Sequence, residues 1–216
     1  MIRLIIFDFD GTLGDTRATI VETMTETIRD LGYAPATEEA IAATIGLPLE
    51  GCFRQLFPEL SDADTLRLAA RYREIFERTR KTRIPALFPH VKETLSALKE
   101  RGFILTVASS RSSRSLKGFL HDMGIADAIS YVLGADNVEK AKPDPEPVLK
   151  TLRELSVAPS ECLVVGDMPV DILMGRSAGA STCAVTYGNA GRDALAAAGA
   201  DFLIDDIAEL PRLPLL

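Results

Sequence analysis

After residue 102 the chain alternates between short apolar runs and amphipathic stretches, and this alternation does most to narrow the folds open to it. Residues 103–108, Tyr131–Leu133, 163–165, Ser181–Val185 and Phe202–Ile204 read as strands, and helical patterns near residues 112–122, 145–155, 169–178 and 190–198 fall between them. Short strands, each followed by a helix, form a parallel sheet covered on both faces. Leu4–Phe7 supplies one more apolar strand, but the long stretch after it carries no strand signal. Ile20, Met24, Ile28 and Leu31 recur there at helical spacing, and further helical patterns fill residues 37–43, 49–57 and 62–80, broken by Gly46, Pro48 and Pro58. A helix near 90–101 ends at Gly102. An interruption of about seventy residues is too long for a structureless loop. The expectation is an α/β fold: a Rossmann-like parallel sheet with helices on both faces, formed by residues 1–15 and 84–216, with an inserted all-helical cap domain over residues 16–83. The two crossings, residues 11–15 and 83–88, are expected to be flexible links.

Composition limits what such a chain binds. Its 216 residues are 47% hydrophobic, enough for a sizeable core, and its formal charge is −7. Acids and bases are interspersed, which argues against nucleic acid or an anionic membrane as a partner. A small phosphorylated metabolite stays open, because a few local cations suffice for it. Cys52, Cys162 and Cys183 are odd in number and lack C-x-x-C spacing, so neither a disulfide framework nor a zinc site is supported. No signal peptide precedes the first strand and no run approaches membrane-spanning length, so a cytoplasmic protein, monomer or homodimer, is expected. His90 and His121 stand alone and read as surface or helix-end residues.

The first strand runs directly into Asp8-Phe9-Asp10-Gly11-Thr12. Residues i and i+2 point the same way on a strand, so Asp8 and Asp10 share one side of its carboxyl end. Two carboxylates that close repel unless a cation compensates. Gly11 and Thr12 let the backbone turn and offer N–H and hydroxyl groups to an anion.

Ligands of open parallel sheets bind beyond the carboxyl ends of the strands. The strand at 103–108 delivers Ser109-Ser110-Arg111 there, where hydroxyls and turn N–H groups can hold phosphoryl oxygens. Lys142 precedes Pro143-Asp144-Pro145, a helix start, and can neutralise a phosphate and a carboxylate; Lys140 is its competitor. The strand at 163–165 ends in Gly166-Asp167, with Asp171 about one turn into the next helix. Asp8, the backbone carbonyl of Asp10, and Asp167 form an oxygen-rich set suited to Mg²⁺.

In this order and in these strand contexts, the pieces resemble the haloacid dehalogenase superfamily along essentially the whole chain. Asp-x-Asp-Gly-Thr and Gly-Asp-x-x-x-Asp carry most of the likeness. A helical cap between the first and second motifs looks like the subclass containing phosphoglycolate phosphatases and β-phosphoglucomutases. Several departures sharpen it. Asp10 is the second aspartate that dehalogenases lack, which implies phosphoryl chemistry. No lysine precedes Lys81 for a Schiff base from the cap, and residues 18–24 offer no histidine of the mutase kind. Ser109 replaces the commoner threonine, and Gly14 stands where a bulkier apolar residue is usual.

The resemblance and the side-chain chemistry imply the same roles. Asp8 is the nucleophile, forming an aspartyl-phosphate. Asp10 is the general acid and then the general base. Asp8, Asp10 and Asp167 hold Mg²⁺; Gly11, Thr12, Ser109, Ser110 and Lys142 hold the phosphoryl group. Asp171 orients the lysine or a metal-bound water. In the cap, Leu47 and Arg54 are candidate specificity residues, Arg54 for a substrate carboxylate such as that of phosphoglycolate. The implied activity is that of a phosphatase acting on a small phosphate monoester. A sugar-phosphate mutase or a pyrophosphatase of the same superfamily is the alternative, and a non-catalytic phospho-acceptor signalling domain a more distant one.

Overall fold

The computed structural model describes residues 1–80 and 84–216. After β1 (Leu4–Phe7) and β2 (Gly14–Asp15) come four helices: α1 (Arg17–Asp30), α2 (Glu38–Ala42), α3 (Leu49–Leu56) and α4 (Asp62–Arg80). The chain then returns through β3 (Ala86–Leu87) and continues as α5 (Val91–Glu100), β4 (Ile104–Ala108), α6 (Ser113–Asp122), β5 (Tyr131–Leu133), α7 (Glu146–Leu155), β6 (Cys162–Gly166), α8 (Pro169–Ser177), β7 (Ser181–Val185), α9 (Arg192–Ala197) and β8 (Phe202–Ile204). Among the described residues no helix is long and apolar enough to cross a membrane.

The main sheet has the order β5-β4-β1-β6-β7-β8, with every pairing parallel. β1 lies between β4 and β6, with Phe7 in register with Val107 and Val165. Its side chains alternate between two cores, as the period of a strand dictates. Leu4 and Ile6 face Val148, Leu152 and Met174 of α7 and α8, while Ile5 and Phe7 belong to the cluster containing Leu95 of α5 and Phe119 of α6. That second cluster extends without a break into the insert, through Met24, Ile28, Phe53, Leu68, Tyr72 and Phe76.

One expectation changes. The two crossings between sheet and insert pair with each other: Gly14 lies opposite Leu87 and Asp15 opposite Ala86 in an antiparallel ribbon. Phe88 N–H extends it by donating to Leu13 O at 3.0 Å. Strands of two residues are too short to show any alternation. Gly14 also packs closely, since a Cβ there would lie 3.1 Å from Phe9 Cζ. Arg83, the first residue of the second crossing, and with it the expected domain boundary, lies outside the described residues.

Candidate active site

β1, β4, β6 and β7 end at one edge of the sheet, and the loops leaving them bring the chemical groups together. Asp8 follows β1, its N–H tied to Val165 O at 2.8 Å. Lys142 Nζ donates to Asp8 Oδ1 at 2.6 Å and to Asp171 Oδ1 at 2.7 Å, and all three side chains are buried. Asp171 sits in the first turn of α8, where Oδ2 also accepts from Met168 N–H at 3.0 Å. Gly166 makes room for it: a Cβ there would fall 2.3 Å from Asp171 Cβ. Lys140, the competitor, is exposed.

Burial raises the Asp8 carboxyl well above the usual range; Lys142 opposes this, while Asp171, Asp167 and Asp10 reinforce it. Burial works against the charge on Lys142, yet Asp171 and Asp8 outweigh it and hold its pKa above the ordinary lysine value. Lys142 therefore stays charged.

Asp167, at the end of β6, is fully buried. Oδ1 accepts from Thr12 Oγ1 at 3.0 Å, and Oδ2 from the N–H and Nδ2 of Asn189 at 2.7 and 2.9 Å. Burial, then Asp171, pushes its pKa up to about 7 against the pull of those hydrogen bonds. Gly11, at φ +89°, passes so close that a Cβ would lie 2.1 Å from Asp167 Oδ2; at Gly188 one would lie 2.3 Å from Asp167 Cβ. Both positions exclude side chains. The Thr12 hydroxyl, expected on phosphate, is thus spent on Asp167.

Asp10 is held differently. Arg111 forks onto it, Nε to Oδ2 at 2.7 Å and Nη2 to Oδ1 at 2.6 Å, while Thr16 Oγ1 donates to Oδ1 at 2.6 Å. The guanidinium lies 4.8 Å from the Phe119 ring centre and 4.9 Å from that of Phe76, which α4 contributes from the insert. Burial works against the arginine's charge, but Asp10 more than compensates.

Two further candidates have their side chains in other bonds. Ser110, expected on phosphate, donates its hydroxyl to Gly46 O of the insert at 2.6 Å and so ties insert to sheet. Arg54, expected at the substrate, points to solvent and pairs with Asp62 at 2.9 Å on the outer surface. Its α3 neighbours Cys52 and Phe53 take the buried face, which turns Arg54 outward. Leu47 lines the cavity between insert and sheet, together with Asp10 and Arg111. Ser109 is buried at the end of β4, with its Oγ accepting from Arg111 N–H at 3.3 Å.

Sequence reasoning passed over Arg111 and Asn189. A signal existed for each: Arg111 directly follows the serine pair, and Asn189 follows Gly188 in the turn after β7, at the same sheet edge.

Oxygens of Asp8, Asp167 and Asp171 lie within 4.8 Å of one another. Three buried carboxylates face one ammonium, and the surplus negative charge in an all-oxygen donor set fits a hard divalent cation. Both oxygens of Asp171 accept from Lys142 and Met168 N–H, and both of Asp167 from Thr12 and Asn189, whereas Lys142 bonds Asp8 at Oδ1 alone.

The family model for haloacid dehalogenase-like hydrolases matches residues 5–185. The chain is 37% identical over 209 residues to a protein of Dickeya dadantii named "Probable phosphatase IndB", covering 96% of this chain and 91% of that one. It is 32% identical to a phosphoglycolate phosphatase of Vibrio vulnificus, over 97% of this chain and 94% of the relative. A pyrophosphatase, PpaX, of Anoxybacillus flavithermus is also 32% identical, with coverage of 97% and 95%. Among solved structures, a predicted phosphoglycolate phosphatase from Haemophilus somnus superimposes with a TM-score of 0.90 at 26% identity, covering 98% of this chain and 97% of that one. With its sheet order, its strand-end aspartates and a match running from β1 through β7, this chain belongs to the haloacid dehalogenase-like hydrolases.

Proposed function

We propose that the protein is a Mg²⁺-dependent phosphatase that hydrolyses a small-molecule phosphate monoester through an aspartyl-phosphate. The observation that carries this reading is the Lys142 bridge between Asp8 and Asp171. It fixes one oxygen of Asp8 and leaves the other for phosphorus. Asp8 attacks the phosphorus, the bond to the leaving oxygen breaks, and Asp10 gives that oxygen its proton. A water then attacks the phosphorus of the aspartyl-phosphate and yields its proton to Asp10, which frees inorganic phosphate and restores the Asp8 carboxylate. Lys142, the Ser109 hydroxyl and the Gly11 turn are assigned to the phosphoryl oxygens, the electrostatic work on which this chemistry depends. Asp8, Asp167 and the Asp10 carbonyl would hold Mg²⁺, which supplies charge neutralisation for an anion attacking an anion.

In this reading residues 16–83 are a cap that excludes water from the seam beside Asp10, and residues 1–15 and 84–216 are the catalytic core. Relatives named phosphoglycolate phosphatase and pyrophosphatase make those two phosphates the first to assay. The test is phosphate release from p-nitrophenyl phosphate and from a panel of phosphorylated metabolites, with and without Mg²⁺. Release that needs Mg²⁺ and stops on chelation, with ³²P transiently carried by the protein, is expected. Release without any divalent cation, or none from any ester, overturns the reading.

A further inference from the structure

The cavity between insert and sheet encloses about 580 Å³, within the range of pockets that bury whole small molecules. Asp10 is on its lining and Asp8 and Asp167 are not, so with Asp10 as the proton donor of the proposed reaction the cavity stands on the side from which a leaving group departs. A glycolate or a second phosphate would fill only a small part of it.

The walls are apolar where an anion would need cations. Ile20, Met24, Ile45, Leu47, Tyr72 and Phe76 supply much of the surface. Two arginines that reach it are already committed: Arg111 forks onto Asp10, and Arg73 pairs with Glu50 at 2.7 Å. Arg114, which is exposed, is on the lining too, but the acids there, Asp10, Glu50, Glu77 and Asp136, outnumber the arginines, Arg73, Arg111 and Arg114. The amino end of α6 is closed to an incoming anion as well, because Asp136 accepts there from Ser113 N–H at 2.6 Å and Ser113 Oγ at 2.8 Å. Ser115 Oγ, on the same lining, is buried with no hydrogen-bond partner among the described residues. Buried polar groups are ordinarily paired.

We infer that the leaving group is an uncharged alcohol with a ring-sized apolar body and a neutral hydrogen-bonding group, and not a small or dianionic acid. The inference rests on the phosphatase reading above and specifies the substrate class of that same site. Burying a ring in this cavity recovers hydrophobic free energy, whereas a carboxylate would be desolvated against walls that are largely apolar and whose acids outnumber their arginines.

The experiment is a kcat/KM series on the full-length protein with Mg²⁺: ethyl phosphate, phosphoglycolate, 2-phenylethyl phosphate, its para-hydroxyl derivative and its para-carboxylate derivative. The ring is expected to raise kcat/KM over ethyl phosphate by about tenfold or more. The hydroxyl should match or exceed the unsubstituted ring, and the carboxylate should lower kcat/KM by about tenfold or more. Leu47→Trp, which fills the cavity, should reduce the ratio of 2-phenylethyl to ethyl phosphate turnover. A phosphoglycolate or carboxylate ester that outperforms the neutral rings, or a ratio that Leu47→Trp leaves unchanged, overturns the inference while the phosphatase reading stands. Hydrolysis of no ester at all would instead overturn the phosphatase reading.

Discussion

Toward the sheet, Asp10 faces a cluster in which hydrogen bonds fix the carboxylates: Lys142 on Asp8 and Asp171, Thr12 and Asn189 on Asp167. Toward the insert it faces a cavity whose walls meet a ligand mainly by shape, from Ile20 to Phe76. The first region is held by directional bonds in a buried setting, where a displaced or lost group costs heavily. The second is held by packing, where size and polarity change the outcome gradually. Chemistry is therefore expected to fail abruptly when the first region is altered, and selectivity to drift when the second is.

Asp8→Asn breaks the first region most completely, because an amide is neither an adequate nucleophile nor an anionic ligand. Turnover should fall by about 10³-fold or more, with no ³²P retained on the protein; release above about a hundredth of wild type would remove Asp8 from its role. Asp10→Asn stands on the border between the regions. Its loss should be about 10²–10⁴-fold for alkyl esters and smaller for p-nitrophenyl phosphate, whose leaving group needs little protonation. Equal losses on both esters would assign the proton to another residue.

Asp167→Asn sharpens the comparison through stability. Mg²⁺ at about a hundred times its Kd should stabilise the wild-type protein by about 2.7 kcal/mol, read as a rise in Tm, and the variant should lose most of that gain. A variant that keeps the full rise would place the cation elsewhere. Arg54→Ala should do least. Its partner Asp62 is exposed, so stability should change by less than about 1 kcal/mol and kcat/KM should hold across the ester series. A selective loss on one ester would return Arg54 to the substrate.

The sheet was legible because each strand is a largely apolar run that ends in a glycine, serine, threonine or aspartate, and helices of ten residues or so show their period. The ribbon of β2 and β3 was not, since two residues have no period to display. The anionic part of the site could be read because its members occupy strand ends. What escaped was the set of groups that act by convergence in space. Arg111 reaches Asp10 across the sheet edge, and Asn189 reaches Asp167 from the turn after β7. Arg54 is the opposite case: α3 turns its apolar Cys52 and Phe53 inward against α4, and the same helical pattern carries Arg54 to the outer face.

The β2–β3 ribbon makes the insert a branch on a single stem. Its two attachment points sit side by side at Gly14–Leu87 and Asp15–Ala86, so another helical module can be grafted there without disturbing the order of the sheet. Besides its length, and the core and the Thr16 and Gly46 contacts it must restore, the graft has an obligation at Arg111. Phe76 is the insert's share of the aromatic sleeve around Arg111, and Arg111 grips Asp10. A chimera that carries over the stem but omits an aromatic at that spot would inherit the strand-end aspartates with one wall of the clamp on Asp10 missing.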